Sequence, residues 1–201
     1  MASYRAVSAI SEAVINLLSS HFRFEDFNNQ LEFRIYQAQD FSRAMEAGIS
    51  LFLYRILPNG THRTPTGRLG PNGRRYNTRL PVDLHFILTA WGRDASLQHT
   101  IAGWMMQILE DTPILPSGLL NAVAPDVFQP DETVEIVLAE LTNEDLLRLW
   151  DTLVQNVYQL SVPYVARNVW IESGREQTAG GLIENRIVDY ARIERGDTAQ
   201  Y

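Results

Sequence analysis

Two apolar runs, Ile49–Leu57 and Leu80–Trp91, set the terms on which this chain folds. Ile49–Leu57 is apolar on both of its faces, the pattern of an interior strand that needs cover above and below. Leu80–Trp91 is a second dense strand. Between Ile56 and Leu80 the chain turns polar and becomes rich in Gly, Pro and Arg. A loop of that length inside a compact domain is unusual, and such loops are generally functional or disordered.

The rest of the chain supplies material to cover a sheet. Residues 4–22 place Ala6, Val7, Ile10, Val14, Leu17 and Leu18 on one stripe of helical period, with Ser3 as the expected cap. Leu31–Ala38 alternates, with Leu31, Phe33 and Ile35 set against Glu32, Arg34 and Tyr36, as a half-buried strand does. Asp94 is positioned to cap a helix through Glu110. Residues 113–131 hold four of the nine prolines and read as irregular connection. Thr133–Leu141 and Val162–Glu172 are expected strands, and Asn143–Leu153 a helix whose Thr142 and Asp145 resemble a capping box. Asn59-Gly60 and Asn72-Gly73 are turn dipeptides of positive-φ character. Helices and strands in this mixed order predict an α+β domain, a mixed β-sheet packed with helices, over residues 1–173. Residues 174–201 follow as a C-terminal arm.

Bulk composition bounds the function. A chain of 201 residues with 45% hydrophobic content supports one well-buried core. Its net charge of −7 argues against a general nucleic-acid binder, which needs a basic face. With no cysteine, disulfides and thiolate chemistry are excluded. The first residues enter an amphipathic segment and not the apolar core of a signal peptide, and no apolar run approaches the ~20 residues that span a bilayer. The expectation is a soluble protein assembled in the cytoplasm, without membrane insertion.

A search for catalytic constellations returns little. His21, His62, His85 and His99 are scattered, with no metal-type spacing. His85 shares a strand face with Asp83, a pairing more often interfacial than catalytic. Gly67, Gly70 and Gly73 lack the lysine and hydroxyl residue of a phosphate loop. No catalytic, cofactor-binding or metal-binding residue is assigned.

Charge segregation carries more information. All 17 basic residues are arginine, and Arg55, Arg63, Arg68, Arg74, Arg75 and Arg79 occur with no acid between Glu46 and Asp83. Two readings stand: a solvated hydrophilic loop, or a patch built for an acidic protein surface on a neighbouring copy or another subunit, with Arg63, Arg68, Arg74, Arg75 and Arg79 at the contact. An acidic stretch (Asp126, Asp131, Glu132, Glu135, Glu140, Glu144) offers the complement. The tail after Gly174 is equally open. It is either a frayed terminus or an arm whose Leu182, Ile183, Ile187, Val188 and Ile193 add a strand to a neighbouring sheet edge.

Five segments in order carry a family resemblance: Ser50–Arg55 (SLFLYR), Leu80–Trp91 (LPVDLHFILTAW), Ile108–Leu115 (ILEDTPIL), Glu144–Trp150 (EDLLRLW) and Tyr158–Ser173 (YQLSVPYVARNVWIES). Over residues 4–173 the chain resembles the amino-terminal domain of the cap, or tail-terminator, proteins of extracellular contractile injection systems. These are phage-tail-like particles of the antifeeding-prophage and virulence-cassette type. The resemblance implies a tail-terminator-like fold and a structural, non-enzymatic role without cofactor. It also implies a homo-hexameric ring that ends the inner tube and sheath and binds the last sheath layer. Sheath protein, inner tube protein and a tape-measure protein are the implied partners, in a particle either released or membrane-anchored. Roles for the loop arginines are not carried by the resemblance. Competing readings are another component of such a particle (tube, baseplate or completion protein) and a small α/β enzyme.

Overall fold

The computed structural model describes residues 4–43, 45–62, 67–70, 73–154 and 157–176. Eight strands are described: β1 (Glu32–Ile35), β2 (Gly48–Pro58), β3 (Arg68–Leu69), β4 (Arg75–Tyr76), β5 (Leu80–Trp91), β6 (Ile114–Pro116), β7 (Thr133–Leu138) and β8 (Ser161–Ile171). The helices are α1 (Ala6–His21), α2 (Phe24–Phe27), α3 (Ala95–Asp111), α4 (Ser117–Val123) and α5 (Asn143–Leu153), with short 3-10 turns at Ala38–Ser42 and Gly60–His62. Six strands form one sheet in the order β1-β2-β5-β8-β7-β6, while β3 and β4 make a separate hairpin. Only β1 and β2 of the large sheet run parallel; its other pairings are antiparallel. The expected α+β architecture is therefore the one observed.

Alternation along β5 explains the layering. Val82, Leu84, Phe86, Leu88 and Ala90 point into the larger core, which α1, α3 and α4 roof with Ile10, Val14, Leu18, Ile101, Met105 and Leu120. Ile87 and Trp91 point the other way, into a smaller core shared with Tyr36, Phe41, Met45 and Trp150. That second layer comes from two unlike sources. One is α5, anchored by Trp150, which is 1% exposed. The other is the crossover from β1 to β2, whose Phe41 meets Trp150 edge-on at 5.2 Å. Tyr36, assigned by alternation to the polar face of its strand, is buried here. β1 stops at Ile35 because the chain turns to carry Tyr36 and Phe41 beneath the sheet.

Across the middle strands runs a row of hydroxyls. Ser50 pairs in register with Thr89, and Thr89 with Ser161. All three are buried and each has a partner, as buried polar groups require. Trp91 Nε1 donates to Ser50 Oγ at 2.8 Å, Thr89 Oγ1 and Ser161 Oγ lie 2.9 Å apart, and Ser161 Oγ donates to Gln159 O.

Local signals hold where a single side chain decides them. Asp94 accepts from the Leu97 N–H at 2.9 Å and starts α3. Thr142 Oγ1 accepts from the Asp145 N–H, and the Thr142 hydroxyl in turn donates to Asp145 Oδ2 at 2.7 Å. The shorter Asp side chain thus closes the cap on its own hydroxyl partner. Ser3 lies outside the described residues; Arg5 occupies the start of α1 with no side-chain cap bond. The region read as irregular connection, 113–131, is a correction: it contains β6 and α4 and buries Leu115, Leu120, Val127 and Phe128. Both elements are too short to show a period, and the prolines that obscured them sit at element boundaries.

Candidate interaction surface

The polar loop between β2 and β5 is not structureless. Gly70 and Gly73 join the ends of the β3–β4 hairpin, with the Gly70 N–H donating to Arg74 O at 2.8 Å and the Gly73 N–H to Gly70 O at 2.9 Å. Gly73 takes φ +74°, the conformation the Asn-Gly dipeptide predicts. Gly60 does not; it opens the 3-10 turn Gly60–His62 instead.

The hairpin's second strand has a further neighbour, the chain leaving β8. Glu176 forms an antiparallel bridge with Tyr76. The Asn77 N–H donates to Arg175 O at 3.2 Å. Residues that follow the last core strand thus lie along β4, and the start of the expected arm is joined to the arginine loop. The apolar arm residues Leu182, Ile183, Ile187, Val188 and Ile193 lie outside the described residues.

The loop arginines divide. Arg63 is outside the described residues, and Arg68 belongs to β3. Arg75 is exposed at the start of β4. Arg74 Nη1 donates to Glu176 Oε1 at 2.6 Å, and this bond first, then the Glu176 charge, pushes the guanidinium pKa above its ordinary value. Arg79 Nε pairs with Glu172, whose side chain is fully buried, and the Arg79 guanidinium sits 6.0 Å from the centre of the Trp170 ring. A segment without acids therefore finds its acids at the far end of the chain. Sequence reasoning missed Glu172 and Glu176; the available signal was a carboxylate ending an apolar strand, which is costly to bury without a cation.

At the root of the loop, Asp83 fastens three segments together. Its Oδ1 accepts the Asn168 backbone N–H at 2.9 Å and its Oδ2 accepts from Asn59 Nδ2 at 3.3 Å. Asn168 holds φ +55°, beside the point where the β5–β8 register shifts between Val82 and Leu84. Asp83 is thereby committed to the asparagines, and no hydrogen bond joins it to His85 among the described residues. Burial chiefly, then the Arg55 charge, pulls the His85 imidazole below its ordinary pKa, against a smaller upward pull from Asp83.

Elsewhere the chemistry is sparse. Among the described residues no group of three or more His, Asp or Glu is placed to hold a metal ion. A 660 Å³ cleft by Arg34, Tyr36, Asp40 and Arg43 and a 640 Å³ groove by Tyr4, Val7, Ile35 and Phe52 are lined, among the described residues, without a histidine. No helix among the described residues is long and apolar enough to cross a membrane.

Comparison with known proteins now bears on this architecture. No curated protein sequence matches the chain. The fold matches the cryo-EM structure of the PVC sheath/tube terminator of an extracellular contractile injection system in its extended state. The TM-score is 0.59 at 14% identity, covering 91% of this chain and 63% of that one. It also matches the anti-feeding prophage cap, the AFP tube terminating cap, with TM-score 0.57 and 16% identity over 89% of this chain and 60% of that one. The chain thus spans under two thirds of the length of the terminators it matches. At these identities the likeness establishes a shared fold. A model of the Pvc16 N-terminal domain matches residues 9–185, nearly the whole chain, and the chain belongs to that family.

Proposed function

We propose that this protein is a structural cap, a tail terminator that ends the inner tube and sheath of a contractile injection particle. The family match over residues 9–185 carries the reading, and the shared fold with a sheath/tube terminator and a tube terminating cap supports it. The role is assembly and not catalysis. In this reading six copies form a ring by head-to-tail contacts, bind the last sheath layer and the tube, and meet a tape-measure protein at the end of the lumen. Assembly takes place in the cytoplasm before the particle is released or anchored.

Charge placement supports the head-to-tail geometry. The arginines sit on the loop joining β2 to β5, whereas exposed Glu135 on β7, with Asp131 and Glu140 flanking that strand, lies on the other side of β8 in the strand order. A heterologous interface needs two different, complementary surfaces on one copy. The apolar residues from Leu182 to Ile193 supply an arm that adds a strand to a neighbouring cap copy or sheath subunit.

Imaging particles from cells that lack this subunit tests the reading. Sheaths of uncontrolled length, or tubes without a terminal ring, are the expected result. Particles of normal length with an intact terminal ring would overturn it.

A further inference from the structure

The arginine loop and the C-terminal exit lie against one another through four contacts of unequal strength. Innermost is Arg79 with Glu172, a fully buried carboxylate whose partner guanidinium also meets the Trp170 ring. Next come two backbone contacts: the Asn77 N–H on Arg175 O, and the Tyr76–Glu176 bridge. Outermost is Arg74 with Glu176, whose side chains are 64% and 48% exposed. Breaking the buried pair strands a carboxylate away from water, which is strongly unfavourable. The exposed pair is screened and contributes little.

We infer that the β3–β4 hairpin is a seat for the segment that leaves β8, Glu172–Glu176, fixed at the Arg79–Glu172 pair and exchangeable at the Arg74–Glu176 pair, so that an acidic surface docking on Arg74 frees the outer end of that segment. The antiparallel bridge sets Glu176 against Tyr76, and its carboxylate reaches Arg74. The loop is thus first a holder of its own chain. An acidic partner and Glu176 compete for one guanidinium, which couples docking at the loop to release of the segment. The seat is a property of the single chain and does not depend on the cap reading.

Hydrogen exchange at the Asn77 amide, measured on the full chain at low salt, tests each part. Arg74→Glu and Glu176→Arg should each speed exchange about two- to fivefold, and the doubly swapped chain should return toward the parent rate. Arg79→Gln should speed it on the order of tenfold further, with Glu172→Gln added in the same chain recovering part of the loss. That double variant keeps the test informative if Arg79→Gln alone fails to fold. Hexaglutamate should speed exchange in the parent, whereas hexaglycine should not. Single reversals that leave Asn77 unchanged, or a swap no better than either single, would overturn the seat. Indifference to hexaglutamate would overturn the exchange.

Discussion

His85 shows how one strand position couples titration to folding. Its ring lies 6.2 Å from that of Tyr54, and burial with the Arg55 charge lowers its pKa below 6.5. A lowered pKa in a base means that the unfolded chain takes up the proton first as pH falls. The native state therefore keeps the full contribution above ~6.5 and loses it as pH drops through the folded value. The urea midpoint should fall between about pH 7.5 and about pH 5.5, and His85→Gln should make that fall smaller. Equal falls in the two proteins would show that His85 is not the coupled group. Tyr164 illustrates the opposite chemistry, for burial and then the Glu110 charge push its phenol up to about 12. Neither shift was legible in the sequence, since each depends on burial and on a charge from a distant part of the chain, Arg55 for His85 and Glu110 for Tyr164.

Among the elements, the junction of β1 with β2 is the most sensitive. Gly48 opens β2 with φ +151° and stands in register with Glu32 on the parallel neighbour. A Cβ at this position would lie 2.0 Å from Glu32 O and 2.7 Å from Met45 Sδ. The backbone oxygen cannot move without giving up the pairing. Gly48→Ala should therefore destabilise by about 2–4 kcal/mol in urea unfolding, and a loss under ~0.5 kcal/mol would contradict the close approach. The long elements were readable because their signals are local: the Asp94 cap, the stripe of α1 and the density of β5 each lie within one window of sequence. What the sequence hid was assembled across distance. The crossover that brings Tyr36, Phe41 and Met45 under the sheet has no period of its own. The acids that hold Arg74 and Arg79 come from beyond β8.

At the level of the whole molecule, charge is arranged in two tiers: arginines held internally and arginines facing outward. Arg74 and Arg79 are bound to the chain's own carboxylates, so reversing either one disturbs the exit segment as well as any neighbour. Arg75 is exposed on the same hairpin and is the cleaner probe of the proposed ring contact. Arg75→Glu should weaken ring assembly on the order of tenfold at ~50 mM salt, with the deficit shrinking near ~500 mM as charges are screened. Mass photometry across that range reads both. Assembly unchanged at low salt would remove the hairpin from the interface. The sequence revealed that charge was segregated, but not that Arg74 and Arg79 close on carboxylates of their own chain.

The hydroxyl row of Ser50, Thr89 and Ser161 has a consequence for how the sheet finds its alignment. A slip of one residue turns a strand's apolar side chains to the wrong face and is rejected by the cores above and below. A slip of two leaves every side chain on its proper face, so hydrophobicity alone barely opposes it. Such a slip would set the Thr89 hydroxyl and the Trp91 indole N–H against aliphatic neighbours, each without a partner in a dry layer. The three small polar residues act as a vernier mark ruled across the central strands, selecting among alignments that the oily faces would accept alike.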